Sequence, residues 1–181
     1  SASRCWSKTF ETIQAIGLQP ADNLLVCLNT AYIGGKMMLV RGMEGNMNLH
    51  IYEPVGNPLT KITEEIHFHF TVLVPLQMRK FLAQSHEKLP ILNAMKGVII
   101  GGEPVGLELQ EQIQQVECPV YSTYGMTETV SHIALRRLNP PDDYYQTLPN
   151  TQIRQDERGC LAINSPVTLG QEIMTNDLAE L

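Results

Sequence analysis

A chain of 181 residues with 43% apolar side chains can bury the core of one domain or two small ones, which excludes a disordered or fibrous protein. Its formal net charge of -6 lacks the basic footprint that phosphate backbones demand, which argues against nucleic acid as a partner. No apolar run reaches the roughly 20 residues that span a bilayer, and the first residues lack the charged, apolar, small order of a signal peptide. Cys5, Cys27, Cys118 and Cys160 show no CxxC spacing, so a cytoplasmic chain with buried thiols at Cys27 and Cys118 is expected.

Apolar residues near helical spacing predict a helix over 3–16, closed by Gly17 as its C-terminal cap. Leu24-Leu25-Val26-Cys27-Leu28 is continuously apolar, as in a parallel strand covered on both faces. A helix is expected over 33–40, with Gly34 and Gly35 letting it pack closely on a sheet. Residues 48–52 alternate like a strand, and Pro54 with Gly56-Asn57-Pro58 marks the loop after them. Further strands are predicted at 70–74 and 98–100, each followed by a helix, over 76–85 and 107–116. A short strand at 119–121 comes next. Strands alternating with helices give an open α/β fold, a largely parallel sheet with helices on both faces and ligands outside the carboxyl ends of the strands. After Leu138 the turn-rich run Asn139-Pro140-Pro141-Asp142-Asp143 leads to short strands at 152–154, 160–163 and 172–174. The expected division is therefore an α/β portion, 1–138, and a small β-rich subdomain, 139–181.

The most informative segment is Val120 to Thr129, where a strand runs into Tyr124-Gly125-Met126-Thr127-Glu128-Thr129. It presents, in succession, an aromatic face, a glycine that permits close backbone approach, a hydroxyl and a carboxylate. Those groups suit a base, a phosphate and magnesium, which takes one or two carboxylates with waters and phosphate oxygens. A plainer reading makes Tyr124 a half-buried strand-end residue and Thr127 a helix N-cap, whose free N–H groups would still favour an anion. His67 and His69 flank Phe68 and would share one face of a strand, as a metal pair without a third ligand or as a hydrated edge.

Tyr-Gly-Met-Thr-Glu-Thr resembles the core motif of the acyl-adenylate-forming (AMP-binding) superfamily. Gly101-Gly102-Glu103-Pro104-Val105 resembles that family's glycine-rich adenine-contact segment. The resemblance implies that Gly101, Gly102, Glu103, Tyr124, Gly125 and Asp177 hold ATP or AMP, with Tyr124 stacked on adenine. It implies that Thr127 and Glu128 are catalytic, Thr127 holding the α-phosphate and Glu128 a Mg2+ ion. Met174-Thr175-Asn176-Asp177-Leu178 resembles the segment whose aspartate binds both ribose hydroxyls. Asn176 replaces the usual glycine there, and asparagine also tolerates left-handed backbone. Tyr32 falls where the family gates its acyl pocket, although the proline that usually precedes that site is missing.

The run 127–139 looks most like o-succinylbenzoate–CoA ligases, so the resemblance implies an acid–CoA ligase. The acid would be joined to AMP and then transferred to CoA. The implied partners are a small-molecule carboxylic acid, ATP and CoA; a homo-oligomer stays open. An acid with a second carboxylate needs a polar contact for it, and Arg41, Ser131 and His132 are candidates, Arg41 otherwise reading as a solvated helix residue. Two alternatives stay open: an adenylation domain that loads a carrier protein, and a non-catalytic nucleotide-binding remnant. The family's phosphate loop and C-terminal lysine domain have no counterpart in 1–181, so a central fragment, inactive by itself, is expected.

Overall fold

The structure, a computed structural model, describes residues 2–62, 66–168 and 170–181, with side chains from Thr9 onward. Seven strands form one sheet in the order β2-β1-β3-β4-β5-β6-β7. These are β1 (Asn23–Val26), β2 (Asn48–Ile51), β3 (Phe70–Leu73), β4 (Gly97–Ile100), β5 (Val120–Gly125), β6 (His132–Arg137) and β7 (Gln146–Thr147). The first five run parallel, and β6 and β7 add antiparallel. A separate three-stranded antiparallel sheet follows, with β9 (Cys160–Asn164) between β8 (Gln152–Gln155) and β10 (Ile173–Leu178).

The continuous apolar runs do form the inner parallel strands. Phe70–Leu73 and Gly97–Ile100 are buried at every position because helices cover both faces. On one face, Ile13 and Ile16 of α1 (Ala2–Ile16) and Met38 and Leu39 of α2 (Ile33–Glu44) pack with Val26, Phe70, Val72 and Ile99. On the other lie α3 (Pro75–Gln84), α4 (Leu89–Asn93) and α5 (Leu107–Ile113), whose Met78, Phe81, Leu92 and Leu109 pack with Leu25, Leu73 and Val98. Cys27, Cys118 and Cys160 are buried free thiols, and burial pushes the first two up to about 11 and about 12. The expectation for Cys5 lies outside the described side chains.

Helix α1 ends as its sequence predicts. Gly17 takes a left-handed φ of 75°, its N–H reaches the Gln14 carbonyl, and the Leu18 N–H reaches back to Ile13 at 2.9 Å. Gly35 meets a different demand, because a Cβ there would lie 2.5 Å from the Asn29 carbonyl oxygen and 2.8 Å from Thr30 Cα. Only a bare Cα lets α2 start against the loop that leaves β1.

Several strands go beyond the sequence expectation, among them β7, which was not predicted and joins the large sheet, and β10, which runs on to Leu178. The strand at 119–121 continues to Gly125, and residues 132–137 return beside it as β6, a strand that the sequence did not suggest. His67 and His69 lie before β3 rather than within a strand. The His69 Nδ1 accepts the Asn23 N–H at 3.0 Å, and its ring stands against buried Asp22, which is itself paired with Lys96 at 2.7 Å. Desolvation lowers the His69 pKa, and its Nδ1 is already committed to the Asn23 N–H. Among the described residues no group of three metal-ligating side chains occurs, and no helix is long and apolar enough to cross a membrane.

The chain leaves β1 through α2 on one face to β2, then returns to β3 on the far side of β1 and continues through α3 on the other face. The carboxyl ends of β1 and β3 therefore diverge, which opens a crevice at the switch point. Gln77 bridges it. Its Nε2 donates to the Cys27 and Val55 carbonyls at 3.0 Å each, and its Oε1 accepts the Val74 N–H at 3.2 Å. Gln77→Met should leave these groups unpaired and destabilise the protein by roughly 2–4 kcal/mol in urea denaturation. A change within about 0.5 kcal/mol, the range of an ordinary surface substitution, would remove Gln77 from this role.

Candidate active site

At the switch point lies a cavity of about 900 Å³. Its floor comes from strand ends and the loops beyond them: Cys27 to Asn29 after β1, Val74 after β3, Gly101 and Gly102 after β4, and Gly125 to Thr127 after β5. Helix α2 supplies the opposite wall. Tyr32, Arg41, Ser131 and His132, the candidate acid-binding residues, all line this one space.

Arg41 departs most from its sequence reading. It is not on a solvated helix face but 2% exposed, with its guanidinium carbon 5.8 Å from the Phe70 ring centroid. Its Nη1 reaches only the Met38 sulfur at 3.5 Å, and its Nε has no hydrogen-bond partner. Among the described residues no carboxylate pairs with it. Burial pushes its pKa down to about 10, which still leaves it charged at neutral pH. A buried, unpaired cation beside a cavity is a costly arrangement that an anion in the cavity would complete.

Tyr32 stands at the start of α2, 72% exposed, at the mouth of the cavity. The His132 Nε2 lies 3.1 Å from the Thr12 hydroxyl on α1, and its Nδ1 lies 3.4 Å from the Ser131 hydroxyl. These contacts hold the imidazole against the cavity wall.

The motif after β5 is a tight reversal. A Cβ at Gly125 would lie 2.5 Å from His132 Cα, so the glycine admits the chain's own returning strand rather than only a ligand. Thr127–Thr129 is one 3-10 turn, not the N-terminus of a longer helix. The cap is not Thr127 but the fully buried Thr129, whose hydroxyl accepts the Met126 N–H at 3.0 Å and lies 2.8 Å from the Ser131 carbonyl. This leaves the Thr127 hydroxyl exposed on the cavity wall, while the Glu128 carboxylate is exposed beside it. Val130 closes the reversal at φ 66°, ψ -43°, with the Ser131 N–H donating to the Thr129 carbonyl at 2.7 Å. That is a strained γ-turn on a β-branched residue.

Tyr124 points to the other face of β5, where its hydroxyl donates to Asp177 Oδ2 at 2.5 Å. Burial, then the Asp177 carboxylate, pushes the phenol well above its usual range. This bond brings the aromatic residue of the motif and the aspartate of β10 together across 53 residues of sequence. Asn176 does not adopt left-handed backbone. Its side-chain oxygen instead accepts from Arg158 at 3.1 Å, and Arg158 also donates to the Thr175 carbonyl at 2.9 Å, which fastens the Asp177 segment. Gly101, Gly102 and exposed Glu103 follow β4, with Gly102 at φ 91° and both glycines lining the cavity. Sequence reasoning missed Thr129, Arg158 and Tyr145; Tyr145 stands 6.3 Å from Tyr124 by ring centroids. The adjacent pair Tyr144-Tyr145 in a turn-rich stretch was a usable signal.

A family model described as AMP-binding enzyme matches residues 2–161. The chain belongs to that family. Among solved structures, an acyl-CoA synthetase (AMP-forming)/AMP-acid ligase II-like protein from Dyadobacter fermentans is similar, at 43% identity and a TM-score of 0.91 over 98% of this chain and 51% of that one. The o-succinylbenzoate coenzyme A synthetase of Bacillus subtilis, solved with ATP and magnesium ion, gives a TM-score of 0.74 at 16% identity over 93% of this chain and 38% of that one, a likeness of fold alone. Curated relatives include the 2-succinylbenzoate–CoA ligase of Lactococcus lactis, 24% identical over 131 residues, or 71% of this chain and 28% of that protein. The enzyme of that name from Bacillus cytotoxicus is 28% identical over 131 residues, or 71% of this chain and 27% of that protein. The chain thus spans under a third of the length of these relatives.

Arg41→Met keeps the packing volume and removes the unpaired charge, so the ligand-free protein should gain about 1–3 kcal/mol in urea denaturation. A loss of stability instead would show that the guanidinium is satisfied without a ligand.

Proposed function

We propose that this chain forms the acid- and nucleotide-binding part of an AMP-forming acid–CoA ligase whose acid carries a second carboxylate, with 2-succinylbenzoate as the substrate. The observation that carries this reading is the buried, unpaired Arg41 facing an otherwise largely apolar cavity. An aromatic acid fills such a space, and a second carboxylate supplies the counter-charge that the protein lacks. The names of the curated relatives point the same way.

In this reading the non-reacting carboxylate accepts hydrogen bonds from Arg41, while the reacting carboxylate lies toward Thr127 at the strand ends. Tyr124 offers its ring to adenine, Gly101, Gly102 and Glu103 border the base, and Asp177 accepts hydrogen bonds from the ribose hydroxyls. Thr127 donates to the α-phosphate. Glu128 is a single exposed carboxylate, which fits a magnesium ion that takes its other ligands from phosphate and water. Bound there, magnesium would neutralise charge on the phosphates. The protein's share in both half-steps, adenylate formation and transfer to CoA, is positioning and preorganised polarity. Residues 1–138 contribute the acid and phosphate contacts, and 139–181 contribute Asp177.

The deciding experiment compares the intact protein with its Arg41→Met variant, using 2-succinylbenzoate and an analogue that lacks the non-reacting carboxylate. With 2-succinylbenzoate, kcat/KM for pyrophosphate release should fall about 10–100-fold, the worth of a charge-assisted hydrogen bond. With the analogue it should be nearly unchanged. Equal losses on both acids would take Arg41 out of the acid site.

Glu128→Gln keeps shape and removes charge, so magnesium affinity in titration calorimetry should drop and adenylate formation should slow by about 100-fold. Transfer to CoA from pre-made acyl-adenylate should be affected far less. Unaltered magnesium affinity would assign Glu128 no part in holding the metal.

A further inference from the structure

The loop that follows β2 carries Pro54, Val55 and Gly56 along one side of the cavity and then closes into a 3-10 turn, Pro58–Lys61. Pro58 and Leu59 of the turn and Ile62 just after it are buried. The Thr60 hydroxyl donates to the Asn57 carbonyl at 2.8 Å, and buried Asn57 donates through Nδ2 to the buried Ser85 hydroxyl at 2.9 Å. Ser85 precedes a second turn, His86–Lys88, and from there the Lys88 ammonium reaches back to the first. It donates to the Leu59 and Ile62 carbonyls at 2.9 Å each and to the Thr60 carbonyl at 3.4 Å. The three donors of one ammonium thus meet three backbone oxygens from a single short segment. Among the described residues no carboxylate shares this ammonium.

We infer that the Leu59, Thr60 and Ile62 carbonyls form a monovalent-cation nest that the chain fills with its own Lys88, and that the filled nest positions the cavity wall at Pro54, Val55 and Gly56. A lysine at an ordinary helix end bonds the last carbonyls along the axis. Here the carbonyls converge on one point, as they do where backbone oxygens replace the hydration shell of an ion. With that point empty, the three dipoles would repel one another and lose their partner. A potassium or free ammonium ion is close in size to the lysine headgroup, whereas lithium is much smaller and holds its water. The nest therefore suits the larger ions once the tethered ammonium is taken away. Gly56 leads through Asn57 directly into the turn, so a turn that shifts carries the wall with it, and Gln77 holds only the Val55 carbonyl on the near side. The nest stands on the fold alone; its effect on the acid rests on the ligase reading above.

The test records melting temperatures of the intact protein and its Lys88→Ala and Lys88→Met variants in potassium, ammonium and lithium chloride at equal ionic strength. The wild type should melt alike in all three salts. Lys88→Ala should melt roughly 2–6 °C lower in lithium, the cost of unpaired carbonyls, and regain most of that in potassium and in ammonium. Lys88→Met, whose stem occupies the same path without a charge, should be lowered in every salt and regain nothing. No regain by Lys88→Ala in potassium, or an equal regain in all three salts, would overturn the nest, as would a variant that stays unfolded throughout. Titration calorimetry with 2-succinylbenzoate reads the wall: affinity should fall about tenfold for Lys88→Ala in lithium and return in potassium. Stability that returns without affinity would overturn the link from nest to wall. A wild type that does not bind the acid in any salt would sink the substrate reading instead, and the melting temperatures would still decide the nest.

Discussion

The whole site depends on one place where no side chain fits. At Gly125 the chain turns back so tightly that β6 runs against β5 with His132 Cα inside the volume a Cβ would occupy. Because of this approach, a single reversal displays Tyr124 on one face of the sheet and Thr127, Ser131 and His132 on the other. A side chain at 125 would push β6 away and separate the cavity-lining Thr127, Ser131 and His132 from Tyr124 on the opposite face. The tightness also accounts for the buried Thr129, whose hydroxyl takes up the backbone groups that the reversal leaves without ladder partners.

Around that reversal the parallel sheet does the rest. Its strand order sends α2 and α3 to opposite faces, and the crevice between β1 and β3 becomes the cavity in which Arg41 is buried. A protein of modest stability carries an uncompensated buried charge only at a cost. The cation–π contact with Phe70 and the weak contact with the Met38 sulfur offset part of it. What remains is an unpaired buried cation beside an open cavity, on a helix that Gly35 seats closely against the loop after β1.

The parallel core was legible because its strands are uninterrupted apolar runs, a pattern with few other solutions at that length. The strand-end motif stood out by its residue types, but its shape could not be read from them. Ile133-Ala134-Leu135-Arg136-Arg137 ends in two arginines and follows a motif that could equally begin a helix, so periodicity could not reveal β6. Arg41 misled for a related reason: a charge on an amphipathic helix ordinarily marks the solvent side, and only the third dimension shows that this side of α2 faces a cavity. The Tyr124–Asp177 bond joins two sheets, and no local pattern encodes such a distance. Asn176 followed the same logic, since its role lies in the contact with Arg158 and not in its own backbone.

Val130 gives the reversal a thermodynamic signature of its own. A β-branched residue held at positive φ stores on the order of 1–3 kcal/mol, and it persists only because Thr129, Ser131 and the returning strand over-determine the turn. Folding alone would favour glycine or asparagine at that position. Backbone strain and the shape of the cavity wall therefore make opposite demands on this one residue. A stabilised descendant of this protein would reach its gain at 130 by loosening the loop that presents Thr127, so robustness and a well-formed site are competing properties here.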